Sequence, residues 1–257
     1  MRRSHPGAQR RVAVHPALAR VRQFVRRRGF DLVRYPSPLV QPAERYAHLM
    51  TQLGVSLLVD VGANEGQFVR EIRTAGWDGP IRSYEPLSAA FESLRQKAAG
   101  DPTWRVFKLA LGASPATAQI HIAANSKSSS LLPMLETHLR AAPDSGYVGG
   151  ETVEIATLDD VLTNEISPSD RLCVKLDCQG YEGEVLKGAT ATLERTLMVV
   201  MELSLVDVYE GALRFDEAVP KMRELGFVLT SLDPIFSDPA TKELLQADGC
   251  FVALPDR

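Results

Sequence analysis

The sequence predicts an α/β fold: a mostly parallel, Rossmann-like sheet with helices on both faces. Three observations carry that expectation. Leu57-Leu58-Val59-Asp60-Val61 is apolar except at Asp60, as suits a short parallel strand buried on both faces. It runs through a Gly-bearing turn, Gly62-Ala63-Asn64-Glu65-Gly66, into residues 67–73, whose apolar positions 68, 69 and 72 share one helical face. A second strand at 81–84 and largely apolar runs at 172–176 and 198–201 alternate with helical patterns, as β-α units do.

The elements follow in chain order. Residues 1–9 read as an unstructured tail and 15–35 as a helix, with Leu18, Val21, Phe24 and Val25 on one face among Arg20, Arg22, Arg26, Arg27 and Arg28. Residues 1–34 hold ten Arg against one acid, Asp31. The remainder carries 19 basic and 31 acidic residues, a balance of −12 beneath the overall −3. A basic helix of this kind either packs on the core with solvated arginines or rests on an anionic membrane surface. Pro36, Pro38 and Pro42 separate this arm, 1–42, from a domain over 43–257. Within the domain, 43–52 is a helix feeding the first strand, 87–99 a helix ending near Gly100, and 104–109 a third strand that leaves Ala110-Leu111-Gly112 at its end.

Residues 117–122 alternate as a short strand, and the pattern then stops. The stretch 123–150, rich in Ser, Gly, Ala and Pro, is long for a compact domain and reads as a mobile cover over a ligand cleft. Order resumes with a strand at 152–156, and Thr157 is a good N-cap for the helix after it. Then come a strand at 172–176, one helix over 180–195, a buried strand at 198–201 ending in Glu202, and a helix over 215–225 that stops at Gly226. Strands at 227–230 and 250–253 close the sheet antiparallel near its edge, joined by loop and a short helix.

Composition excludes several classes. A chain of 257 residues, 45% apolar and 24% charged, suits a soluble globular domain. No apolar run is long enough to span a membrane, and no apolar h-region follows the basic start. The three cysteines, Cys173, Cys178 and Cys250, form no C-x-x-C and suggest neither a disulfide framework nor zinc, so the expected setting is the cytoplasm. A P-loop and a nucleophile elbow are both absent.

The first β-α-β unit indicates the ligand. A dinucleotide site wants G-x-G-x-x-G, but here the spacing is Gly62-x-Asn64-x-Gly66, and Asp60 at the strand end repels pyrophosphate while favouring an ammonium or sulfonium. About 25 residues on, Ile81-Arg82-Ser83-Tyr84-Glu85-Pro86 is a second strand ending in an acid, which suits a ribose diol. An adenosyl ligand bearing an amino acid, S-adenosylmethionine, fits better than NAD.

The blocks Val59-Asp60-Val61-Gly62-Ala63-Asn64-x-Gly66, Tyr84-Glu85-Pro86 and Val174-Lys175-Leu176-Asp177-x-Gln179-Gly180-Tyr181-Glu182, with Val185-Leu186-Lys187-Gly188-Ala189 behind them, resemble the FkbM-type methyltransferases over roughly residues 55–253. The resemblance implies a class I methyltransferase fold, a seven-stranded mostly parallel sheet with one antiparallel strand near an edge. It implies S-adenosylmethionine as donor and a hydroxyl acceptor, often on a sugar or polyketide. The donor contacts expected are Asp60, Gly62, Asn64, Gly66, Glu85, Pro86, Ala110, Leu111 and Asp177.

A hydroxyl acceptor loses its proton as the new bond forms, so a base near the strand ends is expected. Lys175 and Asp177 are two apart and share a strand face, with Glu202 at the same level on the next strand. Asp177 is the expected base or acceptor-positioning group, tuned by Lys175 and Glu202; an ion pair fixing strand register is the structural alternative. His138 and His121 are further candidate bases. Gln179, Tyr181, Ser129 and Ser130 are expected to contact acceptor. No His/Asp/Glu run has metal-ligand spacing; a Mg2+ site from Asp159, Asp177 and Glu202 is conceivable, but Asp159 suits helix capping better. The acceptor expected is a small molecule or glycolipid, with peripheral contact of the arm at the inner membrane face as an option. The rivals are a nucleic-acid methyltransferase, disfavoured by the acidic body of the chain, and a non-catalytic S-adenosylmethionine-binding module.

Overall fold

The computed structural model describes residues 41–163 and 165–255, together with Val21, Phe24, Val25, Arg27 and Arg28. The tail over 1–9 and most of the basic helix over 15–35 therefore lie outside the described residues. Helix α1 (Pro42–Leu53) places Pro42 in its first turn, where no amide is needed, and ends on Gly54. Strand β1 (Leu57–Val61) is buried at every position. The chain then alternates through α2 (Gln67–Thr74), β2 (Ile81–Tyr84), α3 (Ser88–Ala98) and β3 (Trp104–Phe107). Later come β7 (Leu172–Leu176), β8 (Thr196–Ser204), α8 (Phe215–Glu224), β9 (Phe227–Ser237) and β10 (Leu244–Ala253). These strands form a seven-stranded sheet in the order β3-β2-β1-β7-β8-β10-β9. All neighbouring pairs are parallel except those made by β10.

Alternation along each strand sorts the core into two layers. Leu57, Val59 and Val61 of β1 meet Leu158, Val185, Leu193 and Met222 on one face. Leu58, Cys173, Val200 and Cys250 meet Met50 of α1, Ile72 of α2 and Leu94 of α3 on the other. On this second face the strands change character over two successive levels, since Lys175 pairs with Val200 and Glu202 stands two residues beyond it. Two residues from Leu58, Cys173, Val200 and Cys250 stand Asp60, Lys175, Glu202 and Asp248, and the register brings Asp60 opposite Lys175 and Glu202 opposite Asp248. The pleat thus turns an apolar floor into a polar shelf at the carboxyl ends of the parallel strands.

Several expectations are corrected. The strand expected over 104–109 breaks after Phe107, and β4 (Ala110–Leu111) joins a second, three-stranded sheet with β5 (Ala116–Ala123) and β6 (Tyr147–Ala156), in the order β4-β6-β5. The 123–150 stretch contains helix α4 (Glu136–Ala141) and two 3-10 turns, and its end is the first part of β6. After α5 (Leu158–Leu162), where Thr157 caps the amide of Asp160 as expected, the helix expected over 180–195 is two pieces, α6 (Glu182–Lys187) and α7 (Thr190–Glu194). The break falls at Gly188, where an added Cβ would meet the Gly112 carbonyl oxygen at 2.1 Å. Asp159 accepts from the amides of Ala191 and Thr192 and so caps α7.

The sheet edge also differs from expectation. Instead of a loop and short helix between two brief strands, β9 and β10 form a long hairpin. Pro234 masked it in the sequence, but β9 is an edge strand, where a missing amide costs no ladder bond. Strand β8 likewise runs past Glu202 to Ser204. Among the described residues no helix is long and apolar enough to cross a membrane.

Candidate active site

A cavity of about 720 Å3 opens at the carboxyl ends of β1, β2, β7 and β8, the place such sheets hold ligands. Its rim begins at the turn after β1. Gly62 has φ +75°, and an added Cβ would lie 1.8 Å from the Asp177 carbonyl oxygen, so only glycine lets the ends of β1 and β7 pass. Asn64 also has positive φ, 46°, and its amide donates to Glu85 Oε2 at 2.8 Å. The Leu87 amide donates to Glu85 Oε1 at 2.9 Å. Burial pushes the Glu85 carboxyl up to about 7, against the pull of these two amides. Pro86, Ala110, Leu111 and Leu87 line the cavity beside it.

Asp60 departs from the expected ligand contact. It is 0% exposed and does not line the cavity. Its Oδ2 accepts from Ser83 Oγ at 3.0 Å, and its Oδ1 is 3.5 Å from Lys175 Nζ. Trp104 Nε1 holds Ser83 Oγ in turn, at 2.9 Å. Asp60 therefore anchors Lys175 from beneath the floor, because a buried ammonium is tolerated only when paired. Lys175 Nζ also lies 3.1 Å from Asp177 Oδ2 and donates to the Gly62 carbonyl at 3.3 Å. Burial opposes its charge, but Asp177 and Asp60 outweigh that and hold its pKa above the ordinary value. Gly66 is likewise structural: it lies outside the cavity lining, packed against the Trp104 ring.

Gln179 is the hub of the other half. Held at φ 52°, it donates through Nε2 to Asp177 Oδ1 at 2.8 Å and to both Glu202 oxygens at 3.1 Å. Tyr209 Oη donates to Gln179 Oε1 at 2.8 Å, which fixes the amide with its NH2 toward the two acids. Burial, then Asp177, Glu182 and Asp248, raise the Glu202 carboxyl well above the carboxylate range. Tyr181 and Ser129 line the cavity. Ser130 does not: its Oγ donates to the Gln179 carbonyl at 2.7 Å, tying the 123–150 stretch to the hub. His138 lines the cavity between the Tyr209 and Phe236 rings, and burial lowers its pKa to about 4, so it is a neutral and weak base. His121 stacks on Tyr147 outside the cavity lining.

Sequence reasoning missed Tyr209, Phe236, Gln246 and Asp248. Tyr209 lies in an irregular stretch, and the other three belong to the hairpin that Pro234 disguised. The alternation Gln246-Ala247-Asp248 before Cys250 was the available signal. Among the described residues no group of three His, Cys, Asp or Glu side chains could hold a metal ion, and Asp159 is spent on α7.

The methyltransferase FkbM domain family matches residues 60–229, about two thirds of the chain and every turn just described. The chain belongs to the FkbM methyltransferase family. Its activity is methyl transfer from S-adenosylmethionine. No curated protein matches the chain by sequence. Similar solved structures include the magnesium protoporphyrin IX methyltransferase of Synechocystis PCC 6803 with S-adenosylmethionine bound, at 13% identity over 94% of this chain and 99% of that one, TM-score 0.43. Others are the 1,6-didemethyltoxoflavin-N1-methyltransferase of Burkholderia thailandensis, at 10% identity over 83% and 79%, TM-score 0.43, and an rRNA methylase of Streptococcus thermophilus, at 9% over 87% and 99%, TM-score 0.44.

The FkbM site fits the donor chemically. A buried carboxylate with both oxygens pinned by amides, Glu85, keeps lone pairs for a ribose diol, and Pro86 and Leu111 offer apolar surface for a purine. When bound, the donor supplies an electrophilic methyl group on a sulfonium.

Proposed function

We propose that this FkbM methyltransferase methylates a hydroxyl oxygen of a sugar, in a glycolipid, a polysaccharide or a secondary metabolite. The observation that carries this is the charge of the cavity beyond the donor end. Glu71, Asp177, Glu202 and Asp248 line the cavity against two lysines, Lys127 and Lys175, and Lys175 is already paired with Asp60 and Asp177. Carboxyl groups hydrogen-bond hydroxyls whether ionised or protonated, whereas a cavity with more acids than lysines offers a phosphate backbone little attraction, which disfavours nucleic acid.

In this reading Glu85 holds the donor ribose, the turn at Gly62 and Asn64 its amino-acid end, and Pro86, Ala110 and Leu111 its adenine. Asp177 and Glu202, spaced by the Gln179 amide, orient the acceptor hydroxyl. As the hydroxyl oxygen bonds the methyl carbon, the S–C electron pair stays on sulfur and the hydroxyl proton passes to a carboxylate, with Asp177 the first choice. Most of the rate then comes from positioning. Labelled donor incubated with separate sugar, lipid and RNA pools is the test. Label appearing as a methyl ether on sugar or glycolipid is expected, and label confined to RNA would overturn the reading.

A further inference from the structure

The family match stops at residue 229, yet the cavity continues onto the β9–β10 hairpin, which adds Phe236, Gln246 and Asp248 to its wall. Gln246 and Asp248 are two apart on one face of β10 and stand opposite Ser204 and Glu202 of β8. Two acids directly opposite in a ladder repel, so the arrangement costs stability unless donors are placed against it. The neighbouring acid on β9, Asp233, is satisfied by Arg45 and by Tyr46 Oη at 2.8 Å. The Asp248 side chain has no hydrogen bond or ion pair among the described residues.

A second group lines the same cavity unpaired. His138 is 3% exposed, and its Nδ1 is buried without a hydrogen-bond partner among the described residues. Its ring packs 5.0 Å from that of Phe236. Two carboxylates, an amide, an imidazole and a flat apolar ring together match one chemistry: an uncharged ring carrying several hydroxyls. The hydroxyls donate to Asp248 and exchange hydrogen bonds with the Glu202 carboxyl, the Gln246 amide and the imidazole meet others, and the C–H face lies on Phe236. A phosphate would meet the carboxylates instead.

We propose that this hairpin-lined end of the cavity is the acceptor subsite, that it takes an uncharged polyhydroxylated ring and turns away phosphorylated ones, and that Asp248 is the carboxylate that positions the ring. The proposal rests on the sugar-hydroxyl reading and names the part of the chain that selects the sugar. The test is saturation-transfer NMR on the full chain loaded with S-adenosylhomocysteine, using methyl hexosides and the matching hexose 6-phosphates at millimolar concentration.

Hexosides are expected to bind and the phosphates not. Asp248→Asn should weaken hexoside binding about tenfold or more, the worth of one charged hydrogen bond, and His138→Phe about threefold. Calorimetry should find S-adenosylhomocysteine bound by both variants with near wild-type affinity, which reports an intact fold. Phosphates binding as well as hexosides, no hexoside binding, or an Asp248→Asn protein that binds hexosides like the wild type would each overturn the proposal. Hexosides that bind as expected but yield no methyl ether with labelled donor would support the subsite and sink the O-methylation reading instead.

Discussion

Tyr209→Phe isolates the geometry that orients the site. Tyr209 is 1% exposed, and its hydroxyl donates to Gln179 Oε1 at 2.8 Å, the shorter of its two contacts, the other being 3.1 Å to the Ser128 carbonyl. The variant keeps the ring and its packing, and removes the proton that tells the Gln179 amide which way to face. A buried acceptor left unsatisfied costs about 1–3 kcal/mol. For a domain of this size each kcal/mol lowers Tm by about 2–4 °C, so a fall of about 2–12 °C is expected. The Gln179 NH2 then no longer holds Asp177 and Glu202 reliably, and methyl transfer should drop about tenfold for each 1.4 kcal/mol of lost orientation. Thermal unfolding followed by circular dichroism reads the first effect, label incorporation the second, and calorimetry with S-adenosylhomocysteine should find donor-site affinity unchanged. A variant with wild-type Tm and wild-type transfer would refute the claim that this hydroxyl sets the site.

Other outcomes follow from the buried charges. Lys175→Met should cost about 3–5 kcal/mol in urea unfolding, because it strands Asp60 in the core. Burial already raises the Asp60 pKa, and without Lys175 it rises further. A raised folded pKa contributes stability below the unfolded value and loses it as pH rises, so the deficit should be larger at pH 8 than at pH 5; an equal deficit at both would count against the pairing. The Glu85 carboxyl, at about 7 in the folded chain, follows the same sign for stability. Donor binding runs the other way, since ribose hydroxyls donate to the ionised form. S-adenosylhomocysteine affinity should be flat above pH 8 and fall by up to about tenfold per unit below 7, and a Glu85→Gln protein should show no such slope. Gly62→Ala should abolish soluble, donor-binding protein, since its Cβ has nowhere to go but the Asp177 carbonyl; normal thermal unfolding of that variant would contradict the close passage of β1 and β7.

Local order in the chain was enough for much of this. The run Leu57–Val61, the turn at Gly62 and the acid closing β2 are short-range features, so their chemistry is visible within two short stretches, 57–66 and 81–85. The shared level that the sequence suggests for Lys175 and Glu202 does not form: the register, which shifts between Leu172 and Cys173, pairs Lys175 with Val200 and leaves Glu202 two residues further along β8. What was not legible concerns orientation and partners far apart in sequence. Asp60 sits at the strand end as expected, but whether its carboxylate faces ligand or core depends on Ser83 and Lys175, 23 and 115 residues away.

The sequence by itself determined the main parallel strands, the glycine turn after β1 and the family, since each rests on patterns within single elements that burial and backbone sterics enforce wherever they occur. Tertiary structure alone decided that Asp60 braces Lys175, that Tyr209 aims Gln179, and that the β9–β10 hairpin brings Asp248 opposite Glu202. Those relations depend on which strands become neighbours, and pairing across such distances is fixed by packing of the whole core rather than by any stretch of residues.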